Sequence, residues 1–141
     1  MRRHRPLHLS VLGAVAVGGA AGAVLRYALT DAFPDPTDGF PWTVFAINLL
    51  GCFTLAMLPH VRVVRQHRLL PPLLGTGVLG GFTTLSTYAE QARVLARSGH
   101  VGTATVYVVG TLATCLLAVV VADRFSSVVQ RARFAKDEGD L

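Results

Sequence analysis

Charge is what this chain has least of. Only 15% of its 141 residues are Asp, Glu, Lys or Arg, against about 25% in an ordinary soluble domain. No Asp, Glu or Lys stands at the centre of a long apolar stretch, and Glu90 lies only at the edge of one. That absence argues against a proton-coupled cation exporter, which needs a carboxylate within the membrane. No nucleophile with its base and no metal-ligand cluster is visible, so nothing points to an enzyme. Cysteine is scarce too: Cys52 and Cys115 both fall inside apolar stretches. They read as small buried apolar residues, not as a disulfide or a metal pair. The five histidines are scattered outside the apolar stretches at no ligand spacing. Aromatic and basic residues do not interleave as a nucleic-acid face requires.

What is present is hydrocarbon. The chain is 52% hydrophobic, and most of it falls in four apolar stretches, roughly Leu9–Leu29, Trp42–Leu58, Leu69–Ala89 and Val101–Ala122. At 1.5 Å per helical residue each can cross a hydrocarbon core of about 30 Å, the second with help from its flanks. The expected fold is therefore all-α, a four-helix integral membrane protein in a single domain over residues 1–141. The basic head MRRHRPL before the first stretch also fits a signal peptide, with Ala21–Ala23 as a mimic of a cleavage site. The apolar run is too long for a signal, and three comparable runs follow, so retention is expected.

The links set an orientation. Thr30–Pro41 carries three Asp, three Pro and no Lys or Arg. Pro59–Arg68 carries Arg62, Arg65 and Arg68, and the tail after Ala122 carries Arg124, Arg131, Arg133 and Lys136. With four spans these groups share a side with Arg2, Arg3 and Arg5, and only Arg26, Arg93 and Arg97 face the other way. The positive-inside rule then predicts both termini in the cytoplasm of a multi-pass plasma-membrane protein, with residues 123–141 as a cytoplasmic tail. The tail is expected to stay helical to about Phe134. The net charge of +5 thus reflects orientation and anionic headgroups, not nucleic acid.

The most informative segment is GVLGGFTTLSTY, Gly77–Tyr88. Glycines weaken a helix and hydroxyls compete for its backbone, yet this run sits where the third stretch should be deepest. Irregular backbone at that depth is tolerated only inside protein or beside a water-filled cavity. Either a glycine-mediated kink or an ion site built from backbone groups accounts for it, with a helix break expected near Gly80–Thr84.

Four other features could carry chemistry. Gly18 and Gly22 form a small-xxx-small face for close helix packing. Arg26 either snorkels to the headgroups or places a fixed positive charge at an anion vestibule. Asn48 makes an interhelical hydrogen bond or aims an amide N–H at a permeating anion. Tyr107, Thr111 and Cys115, spaced i, i+4, i+8, share one helical stripe. Either the Thr hydroxyls simply bond back to their own helix or the stripe forms a polar track. The whole inventory is rich in donors and aromatic ring edges, whose rims are the positive end of the quadrupole. It favours an anion.

Three fragments in order resemble one family. GAVLRY at Gly22–Tyr27, INLLG at Ile47–Gly51 and GGFTTLSTY at Gly80–Tyr88 are similar to the bacterial CrcB or Fluc fluoride channels. That family's third-span pattern is roughly GGxTTFSTF. The resemblance covers all four spans. It implies a passive fluoride channel, built as an antiparallel (inverted) dimer with two pores along the subunit interface, that lets toxic cytoplasmic fluoride leak out. It also implies a structural Na⁺, not transported, held by main-chain carbonyls at the break; the matching positions are Gly80 and Thr83. The anion pathway carries over to Arg26, Asn48, Leu85, Ser86, Tyr88, Tyr107 and Thr111.

The chain departs from the family at the pore. Leu85 and Tyr88 stand where the family has phenylalanines, and Val44 stands where it has threonine. Leu85 offers no ring edge. An inverted homodimer also needs chains that insert both ways, whereas the basic residues here are strongly one-sided. The expected partner is therefore a second copy or an inverted paralogue that supplies the missing ring. A non-conducting subunit on the same scaffold is the alternative. A small multidrug-type exporter shares the four-span layout but needs the carboxylate that is missing.

Overall fold

The computed structural model describes residues 9–139, with side chains as far as 125. Arg2, Arg3 and Arg5 lie outside the described residues, as do the side chains of Arg131, Arg133 and Lys136. All regular structure among the described residues is helical. Helix α1 spans Leu9–Ala32 and α2 spans Trp42–Met57, which tightens into a 3₁₀ turn at Leu58–His60. The short α3 (Arg62–Gln66) precedes a π-helical stretch, Pro72–Leu79, that runs into α4 (Gly80–Phe82). Helices α5 (Leu85–Arg97) and α6 (Val101–Gly139) follow. The backbone of α6 stays helical past Phe134 to Gly139, farther than the tail's charge pattern suggested.

Among the described residues three helices are long and apolar enough to cross a membrane: Leu9–Ala32, Trp42–His60 and Val101–Phe125. Their outward faces carry bare Val17, Leu50, Leu112, Leu116 and Val120, surface suited to lipid rather than water. The third apolar stretch is no continuous helix. It divides at Thr83–Thr84, both in extended conformation (ψ 155° and 121°). Beyond the break α5 runs on to Arg97 as an amphipathic helix, well past the end of the apolar stretch. On its outer face an Arg93–Glu90 ion pair holds the Glu90 carboxylate below its usual range.

The glycines act differently from expectation. Gly80 is ordinary right-handed helix (φ −67°, ψ −34°). Gly99 is the one residue with positive φ among those described, and it closes α5. The glycines of 75–81 do not make the break. Two of them bring backbones together: a Cβ on Gly81 would collide with the Gly19 carbonyl, and one on Gly77 would lie 3.0 Å from the Gly18 Cα. From the other side, a Cβ on Gly18 would sit 2.9 Å from the Val78 nitrogen. Gly18 and Gly22 are both buried. In lipid no hydrophobic force drives helices together, so this close backbone packing carries the α1 contact.

At the opposite flank, α2, α5 and α6 share a core of Leu95, Ala104 and Tyr107, covered by Phe40, Phe45, Tyr88 and Ala92. The Phe40 ring stands edge-on to Phe45 at 5.5 Å and to Tyr107 at 5.3 Å. Asp35, from the Pro-rich first link, reaches back over α2. Its carboxylate accepts from the Thr43 N–H (2.7 Å) and the Val44 N–H (3.3 Å), two donors that a helix start leaves unpaired. Gln91 donates to the same carboxylate at 3.1 Å and accepts the Tyr107 hydroxyl at 2.9 Å. One acidic side chain thus ties the ends of α2, α5 and α6 together. In the sequence it was simply one of three Asp in a link.

A cavity beside the broken helix

The break is held by a side chain, not by glycine. Asn48, on α2, donates its amide to the Thr84 carbonyl (3.0 Å) and accepts the Thr84 N–H (2.8 Å). Both polar groups that leave the helix ladder at this residue therefore find one partner across the helix gap. Thr84 then starts α5 as its N-cap: its hydroxyl accepts the Thr87 N–H at 3.1 Å and donates to the Thr87 hydroxyl at 3.0 Å. Ser86 joins the cluster, with its oxygen 3.3 Å from that of Thr84. On the other side of the break, Thr83 bonds back to the Leu79 carbonyl through its N–H (3.0 Å) and its hydroxyl (2.9 Å). Gly51 leaves room for it, since a Cβ there would collide with the Thr83 methyl.

Arg26 does not stretch freely toward headgroups. Its Nε donates to the Gly81 carbonyl at 3.1 Å and ties the end of α1 to α4. A hydrogen bond from a charged donor is worth about 1.5–3 kcal/mol when sheltered, less at this half-buried site. Arg26→Gln is expected to lower unfolding stability in detergent by about 1–2 kcal/mol, read as a lower unfolding midpoint.

Next to the break lies a cavity of about 230 Å³, lined by Asn48, Cys52, Thr83, Thr84, Leu85, Tyr88, Thr111, Leu112 and Cys115. No acidic or basic side chain lines it. Its most telling member is Thr111. The side chain is 4% exposed, and its hydroxyl has no hydrogen-bond partner. A buried unpaired hydroxyl costs roughly 1–3 kcal/mol, so a ligand that accepts from it recovers that cost. Tyr88 presents its ring, with its hydroxyl engaged on the Val108 carbonyl at 2.8 Å. Leu85 and Leu112 are 78% and 59% exposed, so the cavity opens between them on an outer face.

Of the residues singled out in the sequence, Asn48, Thr83, Leu85, Tyr88 and Thr111 meet at this cavity. Arg26, Gly80, Ser86 and Tyr107 do not line it. Tyr107 is fully buried, with its ring in the aromatic core and its hydroxyl on Gln91. Gly80 and Thr83 border a second, apolar hollow of about 590 Å³ with Leu55, Leu58, Leu79 and Arg65. Three lining residues went unrecognised as site members: Thr84, Cys52 and Leu112; Cys115 was read only as the end of the stripe of Tyr107 and Thr111. The cysteines had a readable signal. Cys52 follows Asn48 by four residues, and Cys115 follows Thr111 by four, which places each pair on one helix face.

The expected structural Na⁺ is corrected. No group of three or more His, Cys, Asp or Glu that could hold a metal ion exists among the described residues. The break also offers fewer spare carbonyls than a broken helix suggests. Those of Leu79, Gly81 and Thr84 are taken by Thr83, Arg26 and Asn48.

Several membrane-spanning helices around an uncharged cavity make this a polytopic membrane protein. Comparison with known proteins then places it. Residues 13–122 match the family model described as CrcB-like protein, Camphor Resistance (CrcB), and the chain belongs to that family. It is 45% identical over 111 residues to the fluoride-specific ion channel FluC 1 of Streptomyces coelicolor, covering 77% of this chain and 72% of that one. It is 43% identical over 118 residues to FluC 2 of Nocardia farcinica, covering 82% and 84%. With FluC 1 of Mycobacterium bovis it shares 39% over 131 residues, 89% and 94% of the two chains. These relatives are named as channels, in line with the non-enzymatic character expected from the sequence.

Proposed function

We propose that this chain is a subunit of a fluoride-specific channel that lets cytoplasmic fluoride leave passively across the plasma membrane. Within the structure, the observation that carries this reading is the unpaired, buried Thr111 hydroxyl facing an uncharged cavity. The identity of the ion comes from the names of the relatives. Fluoride is small and strongly hydrated, so a path must replace its water with several donors. Thr111 offers one, and the rim of the Tyr88 ring offers positive edge. The missing carboxylate suits an anion in the same way.

Several finer points belong to the same proposal. Residues 1–141 form one membrane domain, with the broken segment as its remaining crossing, both termini in the cytoplasm and residues 123–141 as tail. Leu85, at 78% exposure, and the apolar hollow beside Thr83 suit cover by a second chain. That chain is either a second copy or a paralogue in inverted orientation; lipid covers the rest. The one-sided distribution of Lys and Arg favours the paralogue. Val44 is fully buried and apolar. With Leu85 it favours a second outcome, a subunit that does not conduct by itself.

Fluoride and chloride efflux from liposomes that hold the chain alone, then the chain with a paralogue, separates these. Fluoride efflux without chloride efflux is expected once a competent partner is present. Full efflux from the lone chain would sink the obligate-partner idea, and no fluoride flux under any pairing would sink the channel. Thr111→Val supplies an internal check. Valine keeps the shape and removes the unpaired hydroxyl, so stability should hold or rise by up to about 1 kcal/mol while efflux falls. Equal loss of both would mean that Thr111 is only structural.

A further inference from the structure

We propose that Cys52 and Cys115 form a two-coordinate site for a soft divalent cation of the mercuric type, set in the wall of the cavity. The two thiols come from different helices, α2 and α6, and line one cavity. Both are free and half-buried, and no other residue of that cavity's wall offers soft sulfur. Soft thiolate sulfur selects soft metals. No third His, Cys, Asp or Glu joins the pair among the described residues, which excludes the four-ligand arrangement that zinc takes in structural sites. The unpaired Thr111 hydroxyl, one turn from Cys115 and 4% exposed, independently marks this wall as made for a bound species.

Charge balance selects the ion. Each thiol gives up its proton, two S–Hg bonds form, and two protons leave to solvent. Nothing is oxidised or reduced. The product, one divalent ion on two thiolates, is neutral, and a neutral complex escapes the cost of a net charge at membrane depth. A monovalent soft ion on the same two thiolates would leave a net negative charge there. The bound ion joins α2 to α6 beside Asn48 and Thr111 and narrows the cavity. Binding stands on the geometry alone; only block of transport rests on the channel reading.

The full chain, purified in detergent and chloride-free buffer, is titrated with mercuric ion alone. Sulfur-to-mercury absorbance and the count of thiols that still react with a chromogenic disulfide are followed. One ion per chain should remove both thiols. Cys52→Ser and Cys115→Ser should each weaken binding by about a hundredfold or more, since the second sulfur binds from within the same molecule. Two ions per chain, each taking one thiol, or serine variants that bind as tightly as the parent, would overturn the site. In liposomes mercuric ion should stop fluoride efflux from the parent chain with its competent partner and leave the efflux of the Cys52→Ser, Cys115→Ser double variant unchanged by the ion. Block of both alike would overturn the proposed consequence. Stoichiometric binding to a chain that moves no fluoride under any pairing before mercury is added would retain the site and reject the channel.

Discussion

Asn48→Ala is expected to abolish fluoride efflux and to destabilise the fold in the same step. The Asn48 amide holds both free ends of the Thr84 peptide, at 2.8 and 3.0 Å. Alanine removes both partners at a residue only 7% exposed. Each buried group left unpaired costs about 1–3 kcal/mol, so a loss of roughly 2–5 kcal/mol is expected from the pair. The break then relaxes, and with it the positions of Thr83 and Thr84 in the cavity wall. About 1.4 kcal/mol along the path is already a tenfold change in rate, so flux should fall well beyond tenfold.

Asn48→Asp separates the two roles. Aspartate keeps an acceptor for the Thr84 N–H but loses the donor to the Thr84 carbonyl. It also puts a carboxylate into a cavity that has no charge. Stability should fall less than in Asn48→Ala, yet anion flux should fall at least as far. Detergent unfolding and liposome efflux, measured on both variants, check the ordering. If Asn48→Ala unfolds at the parent midpoint, the clamp does not hold the break.

Hydropathy alone located the helix starts at Trp42 and Val101, because an apolar run in lipid leaves its backbone no option but a helix. It also located the broken segment, since glycine and hydroxyl density at that depth has few explanations. The cause of the break was not legible. Glycine pairs suggested flexibility, but Gly80 and Gly81 are helical, and the extended residues are Thr83 and Thr84. The reason is a partner 36 residues away: only folding brings Asn48 to Thr84. The same limit hid Asp35, Gln91 and the meeting of Cys52 with Cys115. Each of these is a pair of ordinary residues on separate elements. The sodium expectation failed on a different ground: no group of three or more His, Cys, Asp or Glu that could hold a metal ion comes together among the described residues.

Gly22→Ala carries the other large effect, and its sign depends on two opposing terms. In an open helix position, replacing glycine by alanine gains up to about 1 kcal/mol of helix propensity. Gly19 is such a position, since a Cβ there meets nothing within 4 Å; Gly19→Ala should hold or raise stability. At Gly22 the added carbon would collide with the Val78 carbonyl oxygen and lie 2.8 Å from the Phe82 nitrogen. Both atoms are backbone, so no rotamer change relieves the contact, and α1 must move off the 72–82 segment. Overpacking of this kind costs about 1–3 kcal/mol or more, which outweighs the propensity gain. Gly22→Val adds bulk at the same point and should not fold. Four residues on, and so on the same face, Arg26 holds the Gly81 carbonyl. Separation of the helices draws that guanidinium away from α4 just before the break. Gly22→Ala should therefore lose efflux as well as stability, whereas Gly19→Ala, one turn back where an added carbon meets nothing within 4 Å, keeps both. Unfolding midpoints in detergent and efflux from liposomes for the two alanines decide it. If they behave alike, backbone contact at Gly22 is not what joins α1 to the broken segment.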